Sequence, residues 1–188
     1  MRHRPADIPL TLPDPPLGDG VIALRGFESS DVARIVEICQ DPEIARWTLV
    51  PSPYSEHDAR AYLERVAAGL ADGTRAGFAI VDAHDGRMLG DAGLVAIDAG
   101  LACAEIGYLL AASTRGRGVA SRAVRLLVEW AFGTLDLERL EVHVDKHNLA
   151  SQAVARRTGF ACVAEPVMKR PETAHFVDDI FFARLRGG

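Results

Sequence analysis

RGRGVASRAV, residues 115–124, sets two glycines and two arginines directly before a run that reads as helix. A helix that starts in a glycine turn leaves its first backbone N–H groups unpaired and pointing outward, and its dipole adds positive charge there. Such a junction is suited to an anion. Beyond it, Ala120, Ala123, Val124, Leu127, Val128, Ala131 and Leu135 recur at helical spacing, which predicts an amphipathic helix of about four turns.

Upstream of the junction the period changes to that of strands. GFAIVDA, MLGDAGLVAI and LACAEIGYLL are separated by His84-Asp85-Gly86-Arg87 and Asp98-Ala99-Gly100. Each separator holds a glycine suited to the positive φ of a tight turn, so the three runs predict an antiparallel meander. Before them come a strand, Val21 to Phe27, and a helix, Asp31 to Gln40, with Ser29 or Ser30 as its cap. Asp41-Pro42 marks a break and a short helix. Ser55-Glu56-His57-Asp58 resembles a capping box, opening a helix striped by Ala59, Tyr62, Leu63, Val66 and Leu70.

Downstream, Leu140 to Asp145 reads as a strand, Ala150 to Thr158 as a short helix stopped by Gly159, FACVA as a strand, and Phe176 to Leu185 as the last strand, after a loop with Pro166 and Pro171. The first 20 residues hold five prolines and predict an extended arm, leaving 21–188 as one α/β domain.

At 188 residues the chain suits one sizeable core, and 48% apolar with 25% charged residues is the balance of a globular protein. A net charge of -5 argues against a nucleic-acid-binding protein. Cys39, Cys103 and Cys162 are widely spaced with no CxxC, and read as small core residues of a reduced, cytoplasmic protein. No apolar run is long enough for a bilayer and no signal-peptide centre is present, so no membrane partner is expected.

Spacing narrows the anion. A P-loop requires Gly-Lys-Ser/Thr where this chain has Gly118-Val119-Ala120, and a dinucleotide fingerprint requires a third glycine. The pattern Arg115-x-x-Gly118-x-Ala120, after a strand ending EIGYLL and before a long amphipathic helix, resembles the pyrophosphate signature of the GNAT acyltransferase superfamily. The resemblance runs from about Val21 to Leu185 in element order, and PYSEHDARAYL with Asn148-x-x-Ser151 is most similar to its ribosomal-protein N-terminal acetyltransferase branch. It implies a mixed, mostly antiparallel central sheet of about seven strands, flanked by helices and splayed at an acyl-CoA cleft. It also implies acetyl transfer from acetyl-CoA to a primary amine, either a protein N-terminus or a small molecule, through a ternary complex; a homodimer is compatible with it.

The resemblance assigns Arg115, Gly116, Arg117, Gly118, Val119, Ala120 and Ser121 to the diphosphate, and Leu109, Leu110 and Asn148 to the pantetheine arm. Gly107 inside the strand suits a bulge or a close approach. Glu105 is the first choice for the base that takes the amine's proton, with Glu141 and His143 as alternatives. Many members protonate the thiolate with a tyrosine four residues before the Gly-Phe pair, but this chain has Ala155 there; Ser151 takes that role by resemblance, unless it only caps the helix.

The other readings are blander. His143 and His147 lack a third nearby ligand, so no metal is expected. Trp47, Tyr54 and Asp91 are acceptor-cleft candidates or packing residues. A non-catalytic acyl-CoA-binding sensor or assembly domain is the alternative to an enzyme.

Overall fold

The structure, a computed structural model, describes residues 9–168 and 179–188. Its elements follow in the order β1 (Leu17–Gly18), β2 (Ile22–Arg25), α1 (Val32–Cys39), α2 (Pro42–Trp47), α3 (Glu56–Asp72), β3 (Ala76–Asp82), β4 (Met88–Asp98) and β5 (Cys103–Leu110). Then come α4 (Val119–Thr134), β6 (Arg139–Asp145), α5 (Leu149–Arg157), β7 (Ala161–Val163) and β8 (Asp179–Leu185). The predicted start of the last strand at Phe176, and Pro171 before it, lie outside the described residues.

Among the described residues the strands form one eight-stranded sheet, β1-β2-β3-β4-β5-β6-β8-β7, in which only β5 and β6 run parallel. The additional strand over the expected seven is β1. Leu17 pairs with Leu24, and Leu10 is buried in the main core with its N–H on the Leu70 carbonyl at 2.8 Å. Leucines spaced between the prolines therefore tie residues 9–20 to the sheet.

Alternation along the strands divides the core in two. Phe78, Ile80, Leu94, Ala104, Ile106 and Leu140 face α4, whose Ala123, Val124, Leu127 and Val128 fill that side. Ala79, Val81 and Met88 face α1 and α3.

Local signals explain most helix boundaries. Asp41 caps α2 by accepting from the Glu43 N–H at 3.0 Å, with Pro42 at the first turn. Ser55 and Asp58 form the capping box of α3, and Gly73 and Gly159 take the left-handed conformation after α3 and α5. Ser29 and Ser30 do not cap α1. They lie in a 3-10 turn, and Asp31 instead accepts from the Glu28 N–H at 2.8 Å while Arg25 binds both its oxygens.

Two further expectations change. The turn before β5 puts Ala102, not Gly100, at positive φ (48°); the Ala102 carbonyl accepts from Glu138 and Arg139, which holds that geometry. Cys162 is exposed on β7, whereas Cys39 and Cys103 are buried; among the described residues all three are free thiols. No helix among the described residues is long and apolar enough to cross a membrane.

Candidate active site

The ladder between β5 and β6 has three rungs, Cys103 with Arg139, Ala104 with Leu140 and Glu105 with Glu141, and then stops. Beyond Glu105 the two strands part while β5 stays paired to β4 as far as Leu110. Exposure follows the separation: Cys103–Ile106 are buried and Gly107–Leu110 are partly open. The sheet is splayed at the expected strand.

The bulge lies on the neighbouring strand. Register shifts between Leu94 and Ala96, and a Cβ on Gly107 would stand 2.7 Å from the Val95 side chain. Gly107 is thus a close-approach glycine that admits the bulged Val95.

Backbone direction separates the two leucines assigned to pantetheine. Ala111 donates to the Leu89 carbonyl, and the Leu109 carbonyl lies against Gly90. Antiparallel alternation therefore turns the Leu109 backbone toward β4 and those of Tyr108 and Leu110 toward the gap. Of the two leucines, Leu110 thus presents its backbone groups to the gap, and those of Leu109 are taken up by the pairing with β4.

At the end of β5 a 3-10 turn, Ala112–Thr114, is pinned by the Thr114 hydroxyl on the carbonyls of Leu89 and Ala111. Gly116 and Gly118 follow at φ 75° and 77°, and a Cβ on either would meet nothing within 4 Å. Gly118 caps α4 without any side-chain acceptor, so the first-turn N–H groups of Val119, Ala120 and Ser121 remain available. A diphosphate fits this open, N–H-rich cradle.

The arginines divide. Arg117 is exposed and makes no ion pair among the described residues. Arg115 turns back, its Nη2 donating to the Leu110 carbonyl at 3.0 Å and standing 2.7 Å from Asp41. In this conformation it braces the turn against α2 instead of lining the cradle. Arg122, one turn into α4, pairs with Asp19 at 2.6 Å.

Around the last rung, three titratable side chains meet on the α1/α3 face. Glu105 is 2% exposed, and the side chains of Glu141 and His143 are fully buried. His143 Nε2 lies 3.2 Å from Glu141, and its Nδ1 is 3.8 Å from Glu105. Phe181 packs edge-on against the imidazole. Burial alone would raise the Glu141 pKa. His143, the N–H groups of Val167 and Met168, and Arg139 outweigh it, so the carboxyl is lowered to about 2. A group ionised that firmly, with both oxygens committed, is a poor proton acceptor, which removes Glu141 as an alternative base.

Ser151 lies on the opposite face. Asn148 is the N-cap of α5, its side-chain oxygen accepting from the Ser151 N–H at 3.0 Å, so the cap role weighed for Ser151 belongs to Asn148. The Ser151 hydroxyl instead meets the Tyr108 hydroxyl at 2.7 Å. Tyr108 is a site residue that the sequence reading missed. An aromatic with a polar tip in an otherwise apolar strand was the available signal, because such a group needs a partner when buried. Ala155 is 1% exposed in the main core, so that position has no room for the superfamily's usual tyrosine.

The remaining candidates pack. Tyr54 is buried under α1 and α3, and Trp47 donates to Glu43 and stacks under Arg46. Asp91 is buried at the rung with Leu109; burial pushes its carboxyl up to about 7, against a lowering hydrogen bond from Tyr62. His147 is exposed, and among the described residues no group of three metal-binding side chains occurs.

Comparison with known proteins agrees with this fold. The model of the acetyltransferase (GNAT) domain matches residues 22–161. The N-acetyltransferase p20 of Bacillus licheniformis, itself uncharacterised, is 29% identical over 131 residues, 69% of this chain and 73% of its own. Among solved structures, RimL, a ribosomal-protein α-N-acetyltransferase in complex with coenzyme A, superimposes with a TM-score of 0.75 at 22% identity, covering 90% of this chain and 96% of its own. Spermidine N-acetyltransferase from Vibrio cholerae, with CoA and spermine, gives 0.72 at 20% identity, covering 89% and 97%; at these identities both comparisons speak to the fold. The chain belongs to the GNAT acetyltransferase family, and as such is an acyltransferase whose donor is acetyl-CoA.

Proposed function

We propose that this chain acetylates a primary amine, a protein N-terminus or a small molecule, in a ternary complex at the gap between β5 and β6. The observation that carries the reading is the end of the ladder at Glu105. It leaves a carboxylate on one face of the gap and the Ser151–Tyr108 hydroxyl pair on the other, because residues 105 and 108 of one strand point to opposite faces.

The N–H groups of Val119, Ala120 and Ser121 hold the diphosphate, and Gly116 and Gly118 let the backbone approach it. The gap-facing backbones of Tyr108 and Leu110, with Asn148, hold the pantetheine arm. Bound acetyl-CoA supplies an activated acyl thioester. Glu105 takes one proton from the ammonium form of the amine, freeing the lone pair that forms the nitrogen–carbon bond; the nitrogen then sheds a second proton to water, and as the carbon–sulfur bond breaks, Ser151 delivers one to the sulfur. His143, between Glu141 and Glu105, orients the carboxylate side of the gap.

The acceptor class is open between proteins and small amines, and named neighbours of the same fold represent each: RimL a ribosomal protein, the Vibrio cholerae enzyme spermidine. The test is thiol release from acetyl-CoA with a panel comprising peptides with free N-termini, an N-blocked lysine peptide, polyamines and an aminoglycoside. Release above the hydrolysis background with one class identifies the acceptor. Tight acetyl-CoA binding with no release for any member would favour the sensor reading.

A further inference from the structure

Ser151 is a weak acid for a thiolate, and its helix-capping duty is already discharged by Asn148. Its hydroxyl is nevertheless held, by a residue 43 positions away on a different element: Tyr108 Oη stands 2.7 Å from Ser151 Oγ and 3.4 Å from the Ser151 carbonyl. We infer that Tyr108 is a positioning residue for Ser151, its phenol donating to the serine oxygen so that the serine proton points into the gap.

Donor chemistry gives the direction of the bond. A phenol is the stronger donor of two hydroxyls and an alkyl hydroxyl the better acceptor. Burial pushes the Tyr108 phenol up to about 12, opposed by the Ser151 bond, so the phenol keeps its proton at neutral pH and always has one to donate. With its lone pair engaged by Tyr108, Ser151 has its own proton free for the opposite side. Cooperative polarisation along the pair makes that proton more acidic than an isolated serine's. When the carbon–sulfur bond breaks, Ser151 gives its proton to the sulfur and receives the Tyr108 proton along the existing hydrogen bond. Water at the partly open strand returns one to Tyr108. This arrangement also accounts for Ala155, since the phenol reaches the gap from β5 and not from α5.

The inference rests on the assignment of Ser151 above, and the experiment separates the two. Wild type, Tyr108→Phe, Ser151→Ala and the double variant are compared by single-turnover acetyl transfer, by calorimetric CoA affinity, and by the pKa of the bound CoA thiol, read from thiolate absorbance. Tyr108→Phe is expected to slow transfer by about ten- to a hundredfold, with CoA affinity within about threefold. It is expected to raise the bound thiol pKa by about one unit, because a donor to the thiolate is weakened. The double variant should be no slower than Ser151→Ala. Wild-type rate and thiol pKa in Tyr108→Phe would overturn the inference, as would an equal Tyr108→Phe effect in the Ser151→Ala background, which would mean that Tyr108 acts without the serine. Unchanged chemistry in Ser151→Ala would instead remove the serine itself. Should the phenylalanine variant not fold, fluorotyrosine placed at position 108 keeps the shape and strengthens the donor; it should lower the bound thiol pKa, and a value unchanged from wild type would equally contradict the inference.

Discussion

Glu105 and Glu141 are partners on the last rung of the parallel ladder, and Glu141 is fixed as an anion. Glu141 is held by four donors, and the proposed mechanism assigns the amine's proton to Glu105. Glu105→Gln keeps the shape and removes the basicity. Turnover should fall by about a hundred- to ten-thousandfold below the pKa of the amine, the deficit should shrink once the amine is already neutral, and acetyl-CoA affinity should stay near wild type. A pH–rate profile checks this, and an unaltered profile would move the role to His143 or water.

Glu141 makes an opposite kind of contribution, to stability. Its folded pKa of about 2 lies below the ordinary 4.5, so the contribution is complete above that value and is lost as pH falls through the folded pKa. Glu141→Gln should lower stability at pH 7 by on the order of 3 kcal/mol and flatten the loss of stability between pH 4.5 and 2. Urea melts of both proteins across that range provide the measurement.

Asp91 has the reverse sign. Its folded pKa of about 7 exceeds the ordinary 3.8, so folding favours the protonated acid and stability falls as pH rises from 3.8 through 7. Asp91→Asn should therefore be more stable than wild type at pH 8 by roughly 2 to 4 kcal/mol, with the advantage gone near pH 4. Equal melting temperatures at pH 8 would show that the carboxylate is solvated in the native state.

At the turn, side chains meet empty space, so substitution acts through backbone conformation and charge. Gly118→Asn and Gly118→Asp both pay the left-handed φ, a cost of about 1 kcal/mol. Only the aspartate places negative charge where the diphosphate should sit. Calorimetry should show measurable CoA binding by the asparagine variant and little or none by the aspartate variant. Equal affinities would place the diphosphate elsewhere.

The parts of the fold that could be read from sequence are those where one local rule dominates. The stripe from Ala120 to Leu135, the Ser55–Asp58 box, the stop at Gly159 and the meander each rest on periodicity or on a single turn residue. The misses are tertiary. Leu17–Gly18 is a strand only because β2 offers an edge. Ala102 is left-handed because two N–H donors from the β6 side hold its carbonyl. At the site, the motif order supplies the glycine turn and singles out Glu105 and Ser151 as candidates, whereas the turned-back Arg115 depends on Asp41 from a distant helix. Tyr108 was hidden for the same reason: its partner is 43 residues away, and nothing local announces the pairing.

The most direct measurement of the whole account is a crystal structure of the protein with coenzyme A. The diphosphate is expected on the N–H groups of Val119, Ala120 and Ser121, the pantetheine amides on the gap-facing backbones of β5, and the sulfur within hydrogen-bonding reach of Ser151, on the side away from Tyr108. Coenzyme A bound outside the β5–β6 gap, or a sulfur placed beyond reach of both Ser151 and Glu105, would contradict it.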